Sequence, residues 1–143
     1  MTVREILNEK GHEVVTLTPD VTVAEAVAVL AKHRIGAIVV TNGAGVIKGI
    51  LSERDIVRRL AEDGAEFLKH KVSELMTANV KVCAENHSNN EVMEIMTNGR
   101  FRHLPVERDG KLIGVISIGD VVKRRIAEVQ REAEDIRSYI ATA

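Results

Sequence analysis

The chain has 143 residues, 45% of them apolar and 29% charged, with 20 basic side chains against 21 acidic. Length sets an expectation of about one domain, and this composition excludes a disordered chain. The nearly cancelled charge gives no sign of a nucleic-acid or membrane-surface partner, and no apolar run approaches the ~20 residues of a membrane span.

The opening Met1-Thr2-Val3-Arg4-Glu5 carries no signal-peptide core, so a cytoplasmic protein is expected. Cys83 is the single cysteine, which rules out an intrachain disulfide and a cysteine-built zinc site. Phe67, Phe101 and Tyr139 are the only aromatic residues, too few for a base-stacking surface.

Taken in chain order, the elements come twice. Val3 to Leu7 matches Val72 to Met76 at an offset of 69, Thr22 to Glu25 falls on Ser88 to Glu91 at 66, and Gly49 to Asp55 falls on Gly114 to Asp120 at 65. The two length changes fall where loops are expected, as in a true internal repeat. Each copy reads as strand, helix, strand, strand, helix. Val14 to Thr18 and Val80 to Ala84 alternate as short strands do. Thr22 and Ser88 are candidate helix caps, with Glu25 and Glu91 completing capping boxes. Val27, Leu30 and Ala31 form a predicted apolar stripe, matched by Val92, Ile95 and Met96. Ala37 to Thr41 and Val46 to Leu51 flank the turn signal Asn42-Gly43, and Asp109-Gly110 marks the same hairpin in the second copy. A helix follows Ser52 and stops at Gly64, and its counterpart follows Ser117 and runs nearly to the C-terminus.

That last helix has apolar residues at Val122, Ile126, Val129, Ala133, Ile136 and Ile140, a coiled-coil-like seam. From Ser117 to Ile140 it spans about 36 Å at ~1.5 Å per residue, more than a ~60-residue unit covers. The seam therefore meets either the N-terminal segment around Ile6 and Leu7 or a second chain. A two-fold homodimer is the expected assembly. Two ~60-residue copies, each marginal alone, should pack on one another, and the cleft between them is the natural ligand site.

No phosphate loop, dinucleotide fingerprint or nucleophile signature occurs, and the five histidines form no i, i+4 pair. No enzyme activity and no metal requirement are expected. The repeated Gly-x-x-Ser-x-x-Asp admits two readings. Ser/Thr-x-x-Asp/Glu occurs five times, starting at residues 2, 22, 52, 88 and 117, which is what plain helix capping gives. Yet Asp55 and Asp120 each follow a strand and open a helix whose amides attract anions, where a carboxylate can accept both hydroxyls of a ribose. Arg54, Arg58 and Arg59 cluster at a helix start, where the macrodipole disfavours cations; an anionic ligand and a solvated face both account for them.

Gly49 to Asp55 and Gly114 to Asp120, inside duplicated βαββα units, resemble a pair of CBS domains, the cystathionine β-synthase type or Bateman module. The resemblance covers about residues 1–126, and Gly99 to Val106 is similar to small stand-alone bacterial members. It implies an α/β (α+β mixed sheet) fold: two βαββα repeats packed pseudo-symmetrically, with a long C-terminal helix. The expected divisions are 1–64 and 72–126 for the two domains, 65–71 for the linker and 127–143 for the helical extension.

The resemblance further implies a non-catalytic regulatory module that binds an adenine nucleotide (AMP, ATP or NAD(H)) and signals to a protein target. The alternative is a structural dimerisation module without a specific ligand. By position, Asp120 and Asp55 would hold two riboses, with Ser117 and Ser52 beside ribose and phosphate. The Asp120 site would borrow Thr18, Val23, Ile35, Gly36 and Ala37 from the first copy, with Arg102 and His103 facing its phosphates. The Asp55 site would use Ala84, Asn89, Phe101 and Arg102. Because of Arg102 and His103, the Asp120 site is expected to be the stronger.

Overall fold

The computed structural model describes residues 1–142. Its elements are α1 (Val3–Lys10), β1 (Thr16–Leu17), α2 (Val23–His33), β2 (Ala37–Thr41), β3 (Ile47–Ser52) and α3 (Glu53–Asp63), then two 3-10 turns (Ala65–Lys69 and Val72–Glu74). The second half adds α4 (Asn89–Gly99), β4 (His103–Arg108), β5 (Lys111–Ser117) and α5 (Ile118–Thr142). The mixed α/β architecture with two repeats and a long final helix is the one expected from the sequence.

The first sheet has the order β1-β2-β3, with β1 parallel to β2 and β2 antiparallel to β3. The second is the β4-β5 hairpin. Both leading strands are shorter than the alternation of residues suggests. Only Thr16 and Leu17 pair in the first copy, and Val80 to Ala84 contributes a single parallel bridge from Cys83 to Val106. The second hairpin turn follows its residues: Asp109 and Gly110 both adopt positive φ (52° and 78°), as a two-residue turn between twisted strands requires, whereas the first closes more loosely, Thr41 pairing with Ile47 beyond Asn42-Gly43.

Of the five Ser/Thr-x-x-Asp/Glu segments, four cap helices through the hydroxyl and Thr2 does not. On α2 the buried face is Val23, Ala26 and Leu30, whereas Val27 is 37% exposed and Ala31 is also exposed. The predicted stripe shared Leu30 with the true one but otherwise lay one position too far along, because Thr22 starts the helix with Val23 already turned to the sheet. On α4, Val92 and Met96 are buried and Ile95 packs partly against the core.

Two cores form, and each borrows its leading segment from the other sequence copy. Val3, Ile6 and Leu7 of α1 are buried with Cys83, Val92, Met96, Leu104, Val106, Ile116 and Val121 of the second copy. Phe67 and Val72, from the linker region and the start of the second copy, are buried with Val23, Leu30, Val40, Leu51 and Ile56 of the first. The packing units thus exchange what precedes their first strands. Glycines at the head of each Ser-Asp motif make this possible. A β-carbon on Gly114 would lie 2.6 Å from Leu7 Cδ2, and one on Gly49 would lie 2.6 Å from Met76 Sδ and 2.9 Å from the Thr77 carbonyl. Both glycines serve close approach of a neighbouring segment. Burial also explains Cys83, whose thiol is pushed up to about 12 by desolvation and is inert as a nucleophile at neutral pH.

The seam on α5 does not fold back. Ile6 and Leu7 pack with Val121, while Val122, Ile126, Val129, Ile136 and Ile140 are 41–68% exposed. Arg124 pairs with Glu9 at 2.6 Å, and Glu128 faces Arg125 at 3.5 Å.

The exchanged packing predicts a displaced effect for a core truncation. Leu7→Ala, in the first sequence copy, should cost ~2–5 kcal/mol and raise amide exchange first in β4 and β5. Loss of protection first in β2 and β3 would contradict it.

Candidate functional site

Each hairpin returns to the start of the helix that follows it. The Glu53 amide donates to the Gly36 carbonyl (3.0 Å) and the Ile118 amide to the Arg102 carbonyl (2.7 Å). The strand registers set Ala37 opposite Ser52 and His103 opposite Ser117. Gly36 and Arg102, like Ala37 and His103, are therefore equivalent positions at the edges of two clefts. The two hairpins abut where His103 Cε1 lies 3.3 Å from the place a Gly36 β-carbon would occupy.

Ser52 and Asp55 form a complete capping box. The Asp55 amide donates to Ser52 Oγ (3.3 Å), while Asp55 Oδ2 accepts from the Ser52 amide (3.3 Å) and hydroxyl (2.8 Å). Ser117 and Asp120 repeat the arrangement at 3.2, 2.8 and 3.0 Å. The capping reading of the motif is therefore satisfied in both copies. It fixes each carboxylate at a helix start, half-buried at a cleft wall.

The Asp55 cleft is a cavity of about 440 Å³. Its walls come from Gly36-Ala37, from Ile50 and Ser52 to Asp55 with Arg58, from Thr77 and Asn79 to Lys81, and from Gly99 to His103. Five cations (Arg54, Arg58, Lys81, Arg100 and Arg102) face it, against two carboxylates, Glu53 and Asp55. In a chain with net charge −1, this concentration of positive charge suits an anionic ligand. Phe101 supplies an apolar wall, seated over Gly99, where any β-carbon would overlap its ring. Arg100 closes α4 in the left-handed conformation (φ 56°), which residues other than glycine rarely adopt.

The structure brings Gly36, Ala37, Ser52, Asp55, Phe101, Arg102 and His103 together at this one cleft. Gly36, Ala37 and His103 were expected at the Asp120 site instead. Five other candidates lie away from this cavity. Val23 is fully buried in the first core, and Ile35 packs against that core. Thr18 donates its hydroxyl to Asp20 (2.7 Å). Asn89, only 2% exposed, donates its side-chain amide to the Val121 carbonyl (3.2 Å). Ala84 donates its amide to His87 Nδ1 (2.8 Å) and does not line the cavity. Sequence reasoning missed Thr77 to Lys81, and it left Arg54 and Arg58 open between an anionic ligand and a solvated face; both line the cavity. The first was findable, because the segment follows directly on the repeated Val72 to Met76.

The Asp120 side differs. A pocket of about 310 Å³ there is lined by Ile6, Glu9, Lys10, Asp120, Lys123, Arg124 and Ala127. Lys10 Nζ donates to Asp120 Oδ2 (2.6 Å) and to the Val115 carbonyl (2.8 Å). Burial works to raise the Asp120 carboxyl, but the Lys10 hydrogen bond, the Ser117 amide and the Lys10 charge outweigh it and hold the group below the ordinary 3.8. His103 lies between the clefts. Burial first, then the Lys10 charge, pulls it below the ordinary 6.5 against Glu53 and Asp120, so the imidazole is neutral at pH 7.

A lowered carboxyl contributes stability that is present above its unfolded value and lost as pH falls through its folded value. Lys10→Met should therefore move the Asp120 titration upward, by carboxyl-carbon NMR, and remove that part of the acid-side stability. An unmoved titration would show that Lys10 does not hold the carboxylate.

The family model for the CBS domain matches this chain twice, at residues 3–62 and 72–127. A crystal structure of the CBS-domain containing protein ATU1752 from Agrobacterium tumefaciens is 52% identical, with a TM-score of 0.84 over 87% of this chain and 99% of that one. The mitochondrial CBS domain-containing protein CBSX3 of Arabidopsis thaliana is 32% identical over 97% of this chain and 71% of its own length. The CBS domain pair of protein MJ0100, in complex with 5-methylthioadenosine and S-adenosyl-L-methionine, is 25% identical, with a TM-score of 0.76 over 86% of this chain and 98% of that one. With both repeats matched and the duplicated fold in place, the chain belongs to the CBS domain family.

Proposed function

We propose that the chain is a non-catalytic regulatory module that binds an adenine nucleotide in the Asp55 cleft. The observation that carries this reading is the pairing of the Asp55 carboxylate, fixed by its capping box, with five cations around a single cavity. A carboxylate accepts from a ribose diol, and guanidinium groups grip phosphate by paired hydrogen bonds. Phe101 offers an apolar surface for the base. The adenosine ligands of the MJ0100 pair support the nucleoside half of the reading. The cationic wall supports a phosphorylated ligand (AMP, ATP or NAD(H)) over a sulfonium compound, which it would repel.

The mechanism is a population shift. A nucleotide with its ribose on Asp55 and its phosphates on Arg100 and Arg102 touches both sequence copies. Its binding free energy therefore favours their docked arrangement over any opened one. What a protein target reads is a surface of that docked form.

Assembly as a homodimer completes the proposal. The α5 seam exposes five large apolar residues in one line, and soluble monomers rarely leave such a stripe uncovered. A two-fold pairing buries it twice with one self-complementary surface. Among the described residues no helix is long and apolar enough to cross a membrane.

Two measurements test these statements. By calorimetry, Asp55→Ala should weaken AMP binding by ~1.5–3 kcal/mol per charged hydrogen bond lost, and Arg102→Ala should weaken AMP far more than adenosine. Unchanged affinity in Asp55→Ala would sink the nucleotide reading. By light scattering at tens of micromolar (on the order of ten times a ~1 μM dissociation constant), the intact chain should be a dimer and a chain ending at Arg125 a monomer. A monomeric intact chain would refute the dimer, and two equally tight dimers would place the interface outside the seam.

A further inference from the structure

The two clefts carry the same Ser-Asp box but differ in one occupant. In the first packing unit the chain leaves its 3-10 turn extended and pairs with β3, so that the Thr77 amide donates to the Ile50 carbonyl (2.9 Å). In the second, α1 stays helical through Lys10, capped by Gly11 at φ 102°. Val115, equivalent to Ile50 at the offset of 65, receives no backbone partner from α1. It receives the Lys10 ammonium (2.8 Å) instead, and the same ammonium lies 2.6 Å from Asp120 Oδ2. At the offset of 69 the residue equivalent to Lys10 is Asn79, which lines the open Asp55 cleft and makes no such bond to a carboxylate among the described residues. A cation in the last turn of a helix is also favoured by the macrodipole, which helps hold Lys10 in place.

The consequence falls on the carboxylate. Asp120 Oδ2 accepts from the Ser117 amide, the Ser117 hydroxyl and the Lys10 ammonium, more donors than its two lone pairs serve well. Asp55 Oδ2 accepts only from the Ser52 amide and hydroxyl among the described residues. A diol approaching Asp120 meets a carboxylate oxygen already ion-paired with Lys10; one approaching Asp55 does not. We propose that Lys10 is a built-in occupant of the second cleft, so that the chain takes one nucleotide tightly at Asp55 and a second only after Lys10 is displaced. This rests on the nucleotide reading of the cleft and adds to it the residue that sets stoichiometry. Lys10 is partly exposed (39%), so its displacement is expected to weaken the second site on the order of tenfold rather than abolish it.

The test is calorimetric titration of the intact chain with AMP and, separately, ATP, on the natural sequence, Lys10→Met and Lys10→Asn. The asparagine variant copies the residue found at the equivalent position of the open cleft. Thermal melts first establish that both variants fold. The natural chain should show one tight site, lost in Asp55→Ala, with a second at least about tenfold weaker. In both variants the second site should strengthen to within a few fold of the first. A merely structural Lys10, serving Val115 alone, would lower the melting temperature and leave the binding pattern unchanged. Two equal sites in the natural chain, or a second site still weak in both variants, would overturn the proposal while leaving the nucleotide reading intact. Absence of any AMP or ATP binding in all three proteins would overturn both.

Discussion

Everything in this fold depends on two close contacts across the sequence repeat: Leu7 against Gly114 and Met76 against Gly49. Each lets a segment from one sequence copy seal the core built by the other. Since units of this size are marginal alone, the exchange couples two small cores into one. It also fixes the clefts, because the segments that seal the cores run on directly into cleft walls. Thr77 to Lys81 continues from Met76, and Lys10 ends the helix that carries Leu7.

The pseudo-symmetry that builds the clefts is broken at their contents. Both carboxylates are set by the same capping box, yet one faces an open cavity ringed by five cations and the other is held by an ammonium. The difference begins in secondary structure. A short 3-10 turn frees the chain to pair with β3, whereas a full helix carries its last residue over β5. His103 sits between the two and is kept neutral by burial and by Lys10, so the charge that an anion meets at neutral pH comes from arginine and lysine. A nucleotide bound in the open cleft, as proposed, would bridge both sequence copies and so convert binding into a change of shape.

Much of this was legible in the residues, and the remainder has physical causes. The duplication, the caps at Thr22, Ser52, Ser88 and Ser117, the two hairpins and the end of α3 at Gly64 all follow from local chemistry, which a sequence displays. The exchange of α1 was not visible, since the repeat shows which segments are alike but not which core each enters. Phe67 was read as linker because its burial comes from a non-local contact with the first core. The Ser-Asp motif could be read as cap or as site; it proves to be a cap that also places the carboxylate at a cleft wall. His103 was expected beside Asp120 alone, and Arg102 at both sites. They line the Asp55 cleft because the hairpins abut at Gly36, a meeting that only the packed arrangement sets.

The proposed nucleotide site is a single cleft, walled by both copies around Asp55. Backbone amide NMR of the intact chain titrated with AMP tests it most directly. The largest shift changes should cluster at Ser52 to Asp55, Thr77 to Lys81 and Gly99 to His103, three segments far apart in sequence. Changes centred on α5, changes confined to one sequence copy, or no changes at all would contradict it.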